Sequence, residues 1–216
     1  MPFEQIIAYK WQEEKMYYGI RKYFFQEERR NMNKDHIHSL KGENISFRKV
    51  NPNNVSEIHE FVSDEEVSRY IGWRLMETED ETREYIETML KRESEGTHLY
   101  ASVVLNGTEE IVGIVMMFDF DMNTGQAEIG YVFHKKYWGK GYGRESVVLI
   151  KDFAFQELGL HRLHASVVDC NLGSARILEK NGFQLEGRLR DHYYIDEKYH
   201  DALLYGLINQ PIGQES

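Results

Sequence analysis

The sequence predicts a mixed α/β, or α+β, domain: a sheet flanked by helices and preceded by a helical arm. Three observations carry this. Apolar residues recur at helical spacing near the start of the chain and in its second half. Three strand-like runs follow one another between residues 98 and 134, separated by Asn-Gly and Asn-Thr-Gly turns. Helices and strands then alternate irregularly, unlike the βαβ repeat of an all-parallel sheet. At 216 residues the chain is long enough for one sizeable core.

The arm spans about residues 3–33, where Met16, Tyr17, Ile20, Tyr23 and Phe24 recur among charges. Residues 31–44 are polar and read as a linker, so residues 1–43 form an arm and linker, 44–208 the main domain and 209–216 a tail. A first strand is expected at 45–50. A short helix follows to about Val62, with Asn53 or Asn54 as N-cap, and a further helical turn at 64–71. Thr78 and Glu81 have the spacing of a capping box, opening a helix to about Arg92. Strands are expected at 98–105, 111–120 and 126–134, a helix at 143–158, a strand at 161–168, a helix at 172–181 and strands at 183–189 and 199–207. The arm's aromatic face is a candidate contact with the domain or with a second copy in a homodimer.

Composition narrows the function. With 41% hydrophobic and 29% charged residues and three prolines, the chain is globular. A formal net charge of −10 disfavours nucleic-acid binding, which needs a basic face, and suits cationic small molecules or basic peptides. The N-terminus lacks the pattern of a signal peptide, and no apolar run approaches a membrane span, so a cytoplasmic location is expected. Cys170 is the single cysteine; it allows no internal disulfide and reads as small buried filler. The pairs His36/His38 and His161/His164 lack the accompanying ligands of a zinc spacing, and no metal is expected.

The richest motif is Trp138-Gly139-Lys140-Gly141-Tyr142-Gly143-Arg144, which leads from a strand into a helix. Its glycines permit unusual backbone angles, and a helix start offers unpaired N–H groups and partial positive charge. Together these can cradle a pyrophosphate. The pattern GxxxxGK[ST] is absent, and GxGxG behind three antiparallel-looking strands is not a dinucleotide fingerprint.

The segment AEIGYVFHKKYWGKGYGRESV resembles the acyl-CoA signature of the GNAT N-acetyltransferase superfamily. Downstream, Asn171, Ser174, Glu179-Lys180, Gly182-Phe183 and Glu186-Gly187 match the RimJ/RimL branch, which includes ribosomal-protein N-acetyltransferases. Trp138 fits that branch as well. The resemblance covers about residues 44–208 and says nothing of the arm. It implies a mostly antiparallel, splayed sheet and acetyl-CoA as co-substrate. It also implies transfer to a primary amine, either a protein N-terminus or a small amine such as a polyamine, amino acid or aminoglycoside. A CoA-binding module without turnover is the alternative outside enzymes.

The chemistry requires a proton acceptor for the amine, a held thioester carbonyl and a proton donor for the thiolate. The resemblance implies that backbone groups of Val132, Phe133 and His134 hold the pantetheine arm, and that those of Gly139–Arg144 hold the pyrophosphate. It makes Glu128 the base or amine-binding group, against the plainer reading of a solvated strand residue. Asn171 is either a pantetheine contact or an ordinary N-cap. Ser174 is either the donor to the thiolate or a serine with a local hydrogen bond. His134 and His192 are minor proton-carrier candidates, and Trp73, Tyr131, Tyr193 and Tyr194 are candidate walls of the acceptor cleft.

Overall fold

The computed structural model describes residues 34–70 and 75–209; the expected arm helix, Trp73 and residues 210–216 lie outside the described residues. Among the described residues, seven strands form one sheet in the order β1-β2-β3-β4-β5-β7-β6. They are β1 Ile45–Arg48, β2 Leu99–Leu105, β3 Ile111–Asp121, β4 Gln126–Phe133, β5 Arg162–Val168, β6 Gln184–Ile195 and β7 Lys198–Ile208. Every neighbouring pair is antiparallel except β4 and β5.

That parallel pair sets up everything that follows. It has three rungs, Gln126 with Arg162, Ala127 with Leu163 and Glu128 with His164. Beyond Glu128 the two strands part, although each continues to pair with its outer neighbour, β3 or β7. The sheet is therefore split along its middle, from Ile129 on one side and Ala165 on the other.

Helices cover the two faces unequally. On one face α1 (Val55–Val62) and α3 (Glu79–Ser94) bury Ile58, Phe61, Ile86 and Met89 against Tyr100, Ile114 and Val132. Apolar residues at i, i+3 and i+4 make that stripe. Thr78 and Glu81 form the expected capping box at the start of α3. Asn54 is the N-cap of α1, one of the two expected, although its side chain makes no cap bond; Asn51 caps the preceding 3-10 turn. A short α2 (Glu65–Ser68) is capped by Asp64. The opposite face carries α4 (Tyr142–Asp152), a π-helical turn at Phe153–Glu157 and α5 (Leu172–Lys180).

Two stretches depart from the sequence reading. The segment read as linker contains a 3-10 helix, Lys34–Ser39, whose Ile37 is fully buried, and Lys41 bridges to Ser46. The compact unit that holds the sheet thus begins at Lys34, ahead of the 43/44 boundary. Strand β6 also runs on to Ile195. Its outer half, RDHYYI, is mostly exposed at the sheet edge and lacks the alternation that marks a half-buried strand.

Candidate active site

The loop after β4 delivers the donor half of the site. His134 ends β4, and a 3-10 turn at Lys135–Tyr137 leads to Trp138. Gly139 and Gly141 have φ of +75° and +90°, and open space surrounds the position of a Cβ at either. Left-handed backbone there is what these glycines are needed for. Gly143 differs: it is helical, and a Cβ would lie 2.8 Å from Ile177 Cδ1 of α5, so it allows the two helices to approach. Gly141 is the N-cap of α4, and no side chain caps that end. The first-turn N–H groups of Tyr142, Gly143 and Arg144 thus keep their capacity for an anion. The Lys140 ammonium lies 4.9 Å above the Tyr137 ring, beside the loop.

The split strands supply a second row of backbone groups, and here the expectation needs correction. His134 donates its N–H to the Val112 carbonyl at 2.9 Å. Antiparallel ladders alternate, so Val132, which pairs with Ile114 in the same ladder, also directs its N–H to β3. Of the three residues expected to hold pantetheine, only Phe133 presents its N–H to the gap. The second inward N–H is that of Tyr131. Trp138 adds a restraint, because its indole N–H donates to the Phe133 carbonyl at 2.8 Å. The His134 ring turns the other way: Nδ1 accepts from the Lys136 N–H, and Nε2 lies 3.7 Å from Glu60.

The gap opens into a slot of about 220 Å³. Glu128, Met116, Phe118 and Gly130 reach it from the α1/α3 face, and Tyr131, Asn171 and Ser174 from the α4/α5 face. This follows from side-chain alternation on one strand: Glu128 and Tyr131 are an odd number of residues apart, so they point to opposite faces. Only where the sheet is split can both serve one cavity.

Glu128 is half-buried, and its carboxyl is pushed above the usual carboxylate range by desolvation, helped by the charge of Asp119. A backbone N–H of Ser166 acts in the opposite direction. His164 Nδ1 lies 3.8 Å from Glu128, but burial and the nearby Arg162 lower the histidine's pKa. Both groups shift toward neutrality, so this is a contact between neighbours rather than an ion pair.

Across the slot, Asn171 accepts the N–H of Ser174 at 3.1 Å, the N-cap bond of α5. The capping reading of Asn171 is thus realised, and its side chain also lines the slot. Ser174 Oγ lies 2.9 Å from the Tyr131 hydroxyl, which also donates to the Ser174 carbonyl at 3.1 Å. Burial pushes the Tyr131 phenol well above its ordinary pKa, so it stays protonated. Sequence reasoning named Tyr131 only as a possible cleft wall; its partnership with Ser174 spans 43 residues and leaves no local signal.

On the acceptor side Tyr193 donates to or accepts from Ser166 Oγ at 2.9 Å, and Tyr70 completes the wall. Tyr193 also lines a larger cleft of about 590 Å³, with Glu65, Arg69, Leu75, Tyr194 and Asp196. His192 is exposed and packs edge-on against Tyr193. Cys170, expected to be buried filler, is exposed at the turn before α5.

A sheet split beside an uncapped helix start, with a carboxyl facing a hydroxyl across the gap, describes an acyl-CoA-dependent transferase. Comparison with known proteins agrees: residues 44–184 match the acetyltransferase (GNAT) domain family. The chain belongs to that family and is an N-acetyltransferase; acetyl-CoA is the family's donor and an amine its acceptor. It is 28% identical over 174 residues to an uncharacterized N-acetyltransferase, p20, of Bacillus licheniformis, covering 81% of this chain and 98% of the relative. It is 25% identical over 173 residues to YdaF of Bacillus subtilis (strain 168), whose name carries a provisional ribosomal N-acetyltransferase assignment; the match covers 78% of this chain and 93% of that one. Among solved structures, a GNAT-family acetyltransferase from Bacillus anthracis superposes with a TM-score of 0.70 at 28% identity, covering 78% of this chain and 97% of that chain. Among the described residues no helix is long and apolar enough to cross a membrane.

Proposed function

We propose that this enzyme acetylates the N-terminal amine of a protein or peptide, a reading in keeping with the ribosomal N-acetyltransferase assignment in the name of the relative YdaF. The observation that carries the reading is the adjacency of the two clefts. The slot at Glu128 suits a single amine, and at Tyr193 it adjoins the larger cleft under the β6–β7 hairpin. A small amine needs only the first; a peptide fills both. The acidic slot by itself favours a polyamine as the second reading, since Glu128 and Asp119 attract any cationic amine.

In this mechanism the pyrophosphate rests on the start of α4, and the backbone N–H groups of Tyr131 and Phe133 hold the pantetheine arm. Acetyl-CoA supplies the thioester carbonyl that the amine attacks. Glu128 takes the proton from the amine through water; its raised pKa makes it a better acceptor than an ordinary carboxylate. As the new C–N bond forms the C–S bond breaks, and Ser174 Oγ–H passes a proton to the departing thiolate while taking one back from solvent water; the proton held by Glu128 is then released to solvent. Tyr131, its own proton retained, fixes Ser174 in place. Asn171 orients the first turn of α5 that carries Ser174.

The test is release of the CoA thiol with a panel of acceptors: short peptides with free N-termini, the same peptides N-terminally blocked, and spermidine. Turnover with free but not blocked peptides is the expected result. Turnover with spermidine alone would replace the peptide reading by the small-amine one.

A further inference from the structure

At the end of the sheet remote from the β4–β5 rungs, the turn after β5 meets the start of β7. Asp169, Cys170 and His200 converge there, with one ligand atom from each lying within 4.8 Å of the others. We propose that these three side chains bind a divalent cation of the zinc class.

The geometry argues for this in three ways. First, both partners face the same imidazole nitrogen. His200 Nδ1 lies 3.2 Å from Asp169 Oδ1 and 3.5 Å from Cys170 Sγ. A cysteine nucleophile with an oriented base would use the two opposite nitrogens of the ring, one for the thiol and one for the carboxylate. Convergence on one nitrogen is instead the arrangement of ligands around a common centre. Second, the two separations from His200 fit. Zinc bond lengths of about 2.3 Å to sulfur and about 2.0 Å to nitrogen or oxygen, at tetrahedral angles, place S and N about 3.5 Å apart and N and O about 3.3 Å apart. Third, the carboxylate is already oriented from behind, because Arg188 holds Asp169 Oδ2 at 3.4 Å while Asp201 engages Arg188 in turn.

Thiolate, imidazole and carboxylate together select a borderline-soft ion over magnesium or calcium. Three protein ligands leave one coordination position, and the exposed Cys170 opens it to water. Nothing in acetyl transfer uses this ion. Its effect is to tie the turn carrying Asn171 to β7, where Asp169 already donates its N–H to the Asp201 carbonyl at 3.0 Å.

The experiment uses the full chain without a histidine tag, titrated with Zn2+ by calorimetry and with Co2+ by absorption spectroscopy. The expected result is one equivalent of Zn2+ and a thiolate-to-cobalt charge-transfer band in the near ultraviolet. Cys170→Ser abolishes the band, and His200→Gln weakens Zn2+ affinity at least about tenfold. His161→Gln, an exposed histidine elsewhere, leaves both unchanged. Circular dichroism checks that the variants fold. No stoichiometric binding, a missing charge-transfer band in the parent, or Zn2+ binding retained in the Cys170→Ser/His200→Gln double variant would each overturn the site. An Asp169–His200 ion pair alone predicts the missing band.

Discussion

Tyr131 of β4 donates its hydroxyl to the carbonyl of Ser174 and lies 2.9 Å from the same residue's Oγ, so a strand and a helix 43 residues apart share a two-point contact beside the slot. The pair separates two roles that substitution can distinguish. Ser174→Ala is expected to lower kcat with little change in KM, because in the proposed mechanism it removes the group that acts on the leaving thiolate. Tyr131→Phe keeps the ring and loses the hydrogen bonds, lowering stability by about 1 kcal/mol. Steady-state kinetics beside thermal unfolding of both variants checks this; equal kcat for Ser174→Ala and the parent would remove the serine from the mechanism.

Glu128→Gln is expected to reduce kcat/KM by about a hundredfold or more. The parent's rate should rise with pH as the carboxyl ionises, at a pH above its ordinary value of 4.5, since desolvation and Asp119 raise its pKa. The variant should lack that limb. CoA affinity, measured by calorimetry, should be unchanged.

The same substitution has a stability consequence of definite sign. The folded pKa of Glu128 lies above the unfolded value, so the folded state binds the proton more tightly. Ionisation at neutral pH therefore costs stability. That cost is complete above the folded pKa, shrinks as pH falls through it, and is absent below about pH 4. Glu128→Gln should raise Tm at pH 7.5 and lose its advantage near pH 4. A carboxyl kept at a stability cost is a mark of a working site.

Gly141→Val should weaken CoA binding and also lower Tm. Among the described residues beyond its chain neighbours, no atom lies within 4 Å of the new Cβ, so the damage is not a clash with another element. It comes from forcing a β-branched residue to φ near +90°, at a cost of about 1–2 kcal/mol or more, and from a side chain standing where the proposed mechanism places the pyrophosphate. Calorimetric titration with CoA checks the first effect and thermal unfolding the second.

Much of this architecture was legible in the sequence because its signals are local. The capping box at Thr78 and Glu81, the hairpin turns and the glycine loop each occupy a few consecutive residues. The site was legible in part. Glu128, Asn171 and Ser174, which the resemblance singled out, line one slot, but the direction of each N–H on β4 depends on the ladder with β3. That removed Val132 and His134 from the gap and brought in Tyr131. Cys170, expected to be buried, is exposed, and nothing next to it in sequence announces that the start of β7 brings His200 alongside.

Three rungs pair the backbones of β4 and β5. Two half-sheets, one carrying α1 and α3 and the other the β6–β7 hairpin, are thus hinged at one end and unzipped at the other. A pantetheine arm lying in the opening would act as a surrogate strand. Amide hydrogen exchange should register it: Tyr131 and Phe133 slow when CoA binds, while Val132 and His134, already committed to β3, hardly change. The donor would then be a removable rung of the sheet as well as a reactant.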